Sequence, residues 1–163
     1  MENRYLPLSP WLIQFRFFGL IFGLLVAYSA ALPMLAVGFT GTGILLSFIL
    51  LGASLYFCVM LLYRGFCEEL IISPEGIRYT TFGYKLLVGW SNVKRMGKIA
   101  RNGLEGVYVS AQPDEIQAWI GGMPTTGKEF FIPLGMFSKK WQATVIGEQF
   151  KQYAPHLFEN DSQ

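Results

Sequence analysis

A long run without charge constrains this fold more than any other feature, because residues 17–63 contain no Asp, Glu, Lys, Arg or His. A bilayer core is about 30 Å thick, and a helix rising about 1.5 Å per residue crosses it in about 20 apolar residues. The run is long enough for two crossings. Three glycines within residues 38–43 predict the turn between them. We therefore expect membrane-spanning helices at residues 17–37 and 44–63.

The charges that flank the run indicate its orientation. Arg4 and Arg16 precede the first helix, Arg64 follows the second, and the turn carries no charge. Basic residues beside membrane helices stay in the cytoplasm, so both termini are expected there. A cleaved signal peptide is the competing interpretation, because small residues at 29–31 follow an apolar stretch. The second helix would then act as a stop-transfer segment and still leave the C-terminal part in the cytoplasm.

The hairpin is predicted to be an anchor. Transport pathways place ionisable residues inside the bilayer, and this run has none. Gly19 and Gly23 have the small-xxx-small spacing that lets helices approach closely. Their partner is either the second helix or another protein.

The chain after Arg64 predicts short strands and then one helix. Residues 73–76 (Ser-Pro-Glu-Gly) favour a type I turn, and residues 102–103 (Asn-Gly) favour a hairpin turn. After Gly135 the apolar period changes from two to about 3.6, which is typical of an amphipathic helix. Ser138 is its candidate N-cap, and Ala154-Pro155 ends it. The predicted strands are 67–73, 77–82, 85–90, 93–100, 105–111, 115–121 and 128–134.

Three short segments and the order of elements suggest a family. The segments are residues 73–77 (Ser-Pro-Glu-Gly-Ile), 88–93 (Val-Gly-Trp-Ser-Asn-Val) and 132–134 (Ile-Pro-Leu). With this order of elements, the chain after Arg64 resembles a pleckstrin-homology (PH) domain, and the whole chain resembles membrane-anchored bacterial PH-like proteins, in which a two-helix hairpin precedes such a domain. It implies an α+β domain whose seven-stranded, antiparallel bent sheet or barrel is capped by one C-terminal helix. A family of photosystem I assembly factors has a similar layout.

We therefore predict four segments. They are a cytoplasmic N-terminal segment at 1–16, the transmembrane hairpin at 17–63, a cytoplasmic PH-like domain at 64–158 and a polar tail at 159–163. The expected location is a bacterial-type inner membrane or a thylakoid membrane.

The candidate contact site is the densest basic cluster of the chain, which consists of Lys94, Arg95, Lys98 and Arg101. No acidic residue lies between residues 93 and 104. A solvated strand edge is one interpretation, and contact with anionic lipid headgroups or an acidic partner is the other. PH domains that bind phosphoinositides carry basic residues around the first hairpin, whereas here that turn contains Glu75, so the resemblance does not imply this ligand.

The sequence offers no catalytic, cofactor or metal motif. Residues 122–128 have the spacing of a phosphate-binding loop, but Glu129 stands where a Ser or Thr would hold Mg²⁺. His156 is the only histidine, which excludes a multi-histidine metal site. Glu68 and Glu69 are adjacent, and neighbours on a strand point to opposite faces, so they are poor candidates for shared acid–base work.

The function predicted from these features is a non-enzymatic, membrane-anchored scaffold without a cofactor. Its cytoplasmic domain would bind a protein partner in the membrane and assist a membrane protein assembly. The alternative is sensing of an anionic lipid or a small ligand through the basic cluster. A nucleic-acid partner is not expected, because the net charge is only +2.

Overall fold

The computed structural model describes residues 2–37, 40–99, 103–112, 115–118 and 129–159, which divide into two compact units. The helical unit is Ser9–Cys67. The sheet unit combines Met1–Leu8 with Glu68–Gln163.

The helical unit consists of two long helices, α1 (Ser9–Val37) and α2 (Gly41–Cys67). α2 is long and apolar enough to cross a membrane, and a shorter apolar stretch of α1 covers Pro10–Val26. α2 begins after Thr40, whose Oγ1 accepts a hydrogen bond of 3.2 Å from the Gly43 N–H. This N-cap satisfies one of the backbone donors that every helix leaves unpaired at its start.

Gly19 and Gly23, the two glycines with small-xxx-small spacing, lie where α1 packs against α2. A Cβ on Gly19 would lie 2.7 Å from Leu62 Cδ2, and one on Gly23 would lie 3.6 Å from Cys58 Sγ. The Cys58 thiol also donates to the Gly19 carbonyl over 3.4 Å. Of the two partners considered for these glycines, the structure therefore places the second helix against them.

The sheet unit contains two antiparallel sheets. The first has the order β1-β2-β3-β4-β7 and the second the order β5-β6-β8. In chain order the strands are β1 (Asn3–Tyr5), β2 (Glu69–Ser73), β3 (Gly76–Thr81), β4 (Tyr84–Val88), β5 (Val93–Ile99), β6 (Leu104–Ser110), β7 (Ile116–Ala118) and β8 (Glu129–Ile132).

The α+β class is confirmed, but the arrangement of strands differs from the prediction. Eight strands form two sheets within the described ranges, and the first sheet does not close into a barrel. The additional strand β1 comes from the N-terminal segment and pairs through Arg4 with Ile71. A strand of three residues has no periodicity to detect, so sequence patterns did not reveal it.

The core lies between the sheets and the C-terminal helices α3 (Val145–Tyr153) and α4 (His156–Glu159). Trp141 and Phe150 are fully buried, with ring centroids 5.3 Å apart. The strands contribute an apolar layer that includes Leu70, Ile72, Ile77, Leu86, Val107, Val109 and Ile132.

The prediction that Ser138 caps the last long helix is wrong. Lys140 has a left-handed backbone with φ 51°, and a 3₁₀ turn at Trp141–Ala143 follows it. A residue in that conformation interrupts a helix. α3 therefore begins only after Thr144, and Ser138 Oγ lies 3.3 Å from Thr144 Oγ1.

Gly106 is required where β6 begins to pair with β8. A Cβ at this position would collide with the Ile132 carbonyl oxygen and lie 2.8 Å from Phe131 Cζ. We expect Gly106→Ala to lower the free energy of unfolding by about 2 to 3 kcal/mol, because backbone must move to admit the methyl group. Chemical denaturation of the full chain in mild detergent, followed by tryptophan fluorescence, measures the loss.

Gly89→Ala is the matched control for this substitution. Its Cβ would meet no atom within 4 Å, and its φ of −67° is open to any residue. The free energy of unfolding should change by no more than about 0.5 kcal/mol. Equal losses at the two glycines would contradict the packing described for Gly106.

Candidate functional site

Large apolar side chains cover the surface of the helical unit. Leu24 is 75% exposed on α1, and Phe48 and Leu55 are 67% and 51% exposed on α2. Water-soluble proteins rarely expose apolar patches larger than a few hundred Å². The surface of this unit is therefore suited to an apolar solvent or an apolar partner.

The two arginines at the ends of the uncharged run make reciprocal contacts between the helices. Arg16 of α1 stacks on the Phe66 ring, with Cζ 4.3 Å from its centroid. Arg64 of α2 stacks on the Phe15 ring at 4.7 Å. The Arg16 Nε–H also donates to the Gly65 carbonyl over 3.1 Å. We call Phe15, Arg16, Arg64 and Phe66 the arginine clasp.

The clasp stabilises the end of α2. The last four carbonyls of a helix lack partners inside the helix, and that end carries partial negative charge. Arg16 satisfies the Gly65 carbonyl, one of these four, and brings a positive charge to the same place. Sequence patterns predicted that these arginines lie on one side of a membrane, but they did not predict the contact that each arginine makes with the other helix.

The predicted basic cluster is partly neutralised in the structure. Arg95 Nη2 lies 2.8 Å from Glu129 Oε2, and Lys98 Nζ lies 2.8 Å from Glu105 Oε1. The Arg95 guanidinium also covers the Tyr108 ring, 4.0 Å from its centroid. Glu105 lies on β6, the strand next to β5, and Glu129 lies on β8, the far strand of the same sheet.

The structure describes one of the other two members of the cluster. Lys94 is exposed on β5, and Arg101 lies outside the described residues. The structure therefore pairs Arg95 and Lys98 with acidic side chains and leaves Lys94 exposed to solvent.

A buried carboxylate lies directly before β2. Glu68 is 1% exposed, and its Oε1 accepts hydrogen bonds from the Tyr79 hydroxyl at 2.6 Å and the Thr81 hydroxyl at 3.1 Å. Burial, and then the charge and hydrogen bond of Glu68, raise the pKa of Tyr79 well above its ordinary value. Glu69 points the other way and pairs with Arg4 over 2.7 Å. The prediction of opposite faces is confirmed for this pair.

The outward surface of the first sheet, which we call the outer face, carries a mixed row of side chains. Arg4, Ile71, Arg78 and Leu87 are cross-strand neighbours on β1 to β4. Arg78 Nε is buried and has no hydrogen-bond partner among the residues that the structure describes. This row borders a cavity of about 180 Å³, whose polar lining includes Glu2, Ser73, Glu75 and Arg78.

Two further polar groups are occupied by structural hydrogen bonds. The Glu115 carboxylate accepts from the Gly89 and Gln112 backbone N–H groups at 3.3 and 2.6 Å and from Asn92 at 3.2 Å. His156 Nε2 lies 2.8 Å from the Val93 carbonyl and must donate to it, since a carbonyl only accepts. Both groups therefore hold loops and strand ends together.

Within the described ranges, no group of three or more His, Cys, Asp or Glu side chains could hold a metal ion. The segment with phosphate-loop spacing, residues 122–128, lies outside those ranges. Cys58 and Cys67 are free thiols. The chain matches no model of a known protein family, no curated protein and no solved structure in comparisons of sequence and fold.

Proposed function

We propose that this chain is a non-enzymatic, membrane-anchored scaffold whose sheet unit binds a protein partner and assists a membrane protein assembly. In this proposal α1 and α2 both cross a bacterial-type inner membrane or a thylakoid membrane. Both termini and the sheet unit then lie in the cytoplasm.

The exposed apolar surface of the helical unit carries the proposal. Side chains such as Leu24 and Phe48 expose most of their surface, and transfer of apolar area out of water stabilises by about 25 cal/mol per Å². The pairing of Gly19 and Gly23 with α2 supports a hairpin, because small residues allow close helix packing in lipid. Arg16 and Arg64 at the same end of the hairpin support a cytoplasmic location for that end.

A PH-like fold for the sheet unit is part of the proposal. Antiparallel strands connected mostly in chain order and followed by the amphipathic helix α3 support it. Trp141 and Phe150 are fully buried and contact each other, which is compatible with a bent-sheet domain capped by its last helices. Such a fold leaves its sheet faces available for partners.

The outer face supports the choice of a protein partner. Interface residues that contribute most to binding are often arginines set among apolar side chains. Arg78 lies between the partly exposed Ile71 and Leu87, and its buried Nε has an unused hydrogen. A buried donor without a partner costs about 1 to 3 kcal/mol. A partner that presents a carboxylate or carbonyl oxygen at this cavity would remove that penalty.

Photocrosslinking from the outer face tests the proposed partner. A photoreactive amino acid at Leu87, in the full chain in its native membrane, should give one discrete adduct. Arg78→Ala should reduce that adduct by about tenfold or more, because the partner loses its central contact. Electrophoresis of the irradiated membranes and mass spectrometry of the adduct provide the measurement.

Two controls accompany the crosslinking. Lys94→Ala on the second sheet should leave the adduct from Leu87 unchanged, and the photoreactive residue placed at Val145, which is 57% exposed, should not give the same adduct. The proposed binding face is wrong if no adduct forms, or if the yield does not depend on Arg78.

A further inference from the structure

The sheet unit contains a second cavity, which shares no lining residue with the cavity at the outer face. It lies between the second sheet and the 3₁₀ turn at Trp141–Ala143, and its volume is about 210 Å³. A cavity of about 150 Å³ can bind a benzene molecule, so this one has room for a body of that size with a small polar group. Its side chains are those of Met96, Lys98, Glu105, Trp141 and Gln142.

The most deeply buried side chain of this cavity is a hydrogen-bond donor without an acceptor. Trp141 is 1% exposed, and its Nε1–H has no partner among the residues that the structure describes. Buried polar groups are nearly always paired, and an indole nitrogen can only donate. A molecule that brings an acceptor to this N–H would therefore stabilise the folded protein.

The backbone around Trp141 is held in an unusual arrangement. Lys140, the preceding residue, has a left-handed conformation with φ 51°. Such a conformation costs free energy in a residue other than glycine, and it is found most often at binding and catalytic sites. A Cβ at Gly147 would collide with the Gln142 carbonyl oxygen, so the turn packs closely against α3. These two features fix the turn that carries Trp141 and Gln142.

The mouth of the cavity carries two more donors, because Lys98 and Gln142 are both exposed. Lys98 Nζ lies 2.8 Å from Glu105 Oε1, its direct partner on β6, and an ammonium group has three hydrogens to donate. Gln142 Nε2 lies 3.3 Å from Met96 Sδ. A thioether is a weak acceptor, so a ligand with a better acceptor would readily displace this contact and open the way to Trp141.

The charges at the cavity favour a ligand with one negative charge. Hydrogen bonds from Lys98 or Trp141 to an ionised carboxylate are stronger than those to a neutral acceptor. Glu105 lines the same cavity, and it would repel a ligand with two negative charges, such as phosphate. Met96 and the Trp141 ring offer apolar contacts, and small-molecule sites typically combine an apolar lining with a few polar groups.

We propose that this cavity binds a small monocarboxylate with an apolar body. The ligand's carboxylate accepts hydrogen bonds from Trp141 Nε1 and Lys98 Nζ, and Gln142 moves away from Met96 as the ligand enters. The site lies within the sheet unit, so it is independent of the membrane anchor and of the partner proposed for the outer face. Binding would make the stability of the sheet unit depend on the concentration of the ligand.

The indole N–H signals of the full chain in mild detergent test this site by nuclear magnetic resonance. The chain has four tryptophans, whose indole nitrogens are isotope-labelled and assigned with single Trp-to-Phe variants. Benzoate should move the Trp141 proton signal to higher frequency, because that proton gains a charged acceptor. The Trp90 signal should stay in place, since its Nε1 already donates to the Ser73 carbonyl over 2.9 Å.

Two substitutions measure the contribution of each donor to benzoate affinity. Lys98→Gln should weaken binding by about tenfold, because one charge-assisted hydrogen bond is lost. Trp141→Phe removes the N–H and should weaken binding to a similar extent. The result at the exposed Lys98 does not depend on whether the core tolerates phenylalanine at position 141. Lys94→Gln is the matched control, because it removes an exposed cation of β5 that does not line the cavity, and it should leave the affinity unchanged.

Three further probes define the chemistry of the ligand. Hexanoate, which has an aliphatic body, should move the Trp141 signal as benzoate does. Benzyl alcohol has the same ring without the charge and should bind at least about tenfold more weakly than benzoate. Inorganic phosphate at the same concentration should leave the signal in place.

Four results would overturn the inference. They are a Trp141 signal that neither benzoate nor hexanoate moves, an affinity for benzyl alcohol equal to that for benzoate, an unchanged affinity in Lys98→Gln, and a response to phosphate as large as that to benzoate. The last result would assign the cavity to an inorganic anion.

Discussion

Replacing Glu68 by alanine should lower the free energy of unfolding of the sheet unit by about 3 to 5 kcal/mol. The carboxylate is 1% exposed and accepts hydrogen bonds from Tyr79 and Thr81. Its removal takes away the carboxylate that accepts a hydrogen bond from each of these two buried hydroxyls, and it also leaves a cavity. Denaturant unfolding of the full chain in mild detergent measures the change.

Glu69→Ala is the matched control for this substitution. Glu69 is the next residue and the first of β2, but it faces away from Glu68 and pairs with Arg4, whose side chain is 68% exposed. Ion pairs at the surface contribute little, so the loss should be much smaller than at Glu68. Equal losses at these adjacent carboxylates would show that burial of Glu68 does not stabilise the fold.

The buried Tyr79 hydroxyl makes the stability of the fold depend on pH in the alkaline range. The pKa of Tyr79 in the folded protein is raised above its ordinary value, first by burial and then by Glu68. Its contribution to stability is therefore complete below about pH 10 and is lost as the pH rises through the folded pKa. Tyr79→Phe should flatten the decline in stability above about pH 10, although it removes one hydrogen bond at neutral pH.

Sequence patterns predicted the helices and strands that have a continuous or periodic apolar pattern. They missed features that depend on residues distant in the chain. The uncharged run predicted α1 and α2, and two-residue alternation predicted strands such as β3, whose inward side chains include Ile77 and Tyr79. The start of α3 was displaced because Lys140 adopts a left-handed conformation, which no periodicity reports.

The candidate sites likewise combine features that the sequence predicts with contacts that only the fold creates. The basic cluster was visible in the sequence, but the acidic partner of Arg95 is Glu129, which lies 34 residues away on the far strand of the second sheet. The sequence did not predict that Glu68 is buried. A carboxylate is almost never fully buried unless it is paired, and its partners could not be identified from the sequence. Only the fold brings Tyr79 and Thr81 to it.

Leu55→Arg should change the side of the membrane on which the sheet unit lies. Leu55 is 51% exposed near the middle of α2, and an arginine there disfavours membrane insertion by about 3 kcal/mol relative to leucine. In the proposed topology, in which both helices span the membrane, chains whose α2 fails to insert would keep α1 as their one span. The sheet unit would then be carried to the opposite side of the membrane, with a shift of up to about a hundredfold in the ratio of the two orientations.

Cysteine labelling measures this ratio. Gln152 is exposed on α3, and Gln152→Cys, in a chain whose native thiols Cys58 and Cys67 are replaced by serine, should react with an impermeant reagent only from the cytoplasmic side. Leu55→Arg should make it reactive from the other side. The control carries arginine in place of Cys67, the exposed last residue of α2, where the labelled chain carries serine. A charge at a helix end reaches the interface at little cost, so the labelling side should not change. An unchanged labelling side with arginine at position 55 would mean that α2 is not held in the membrane by its apolar surface, and the anchor would then need another explanation.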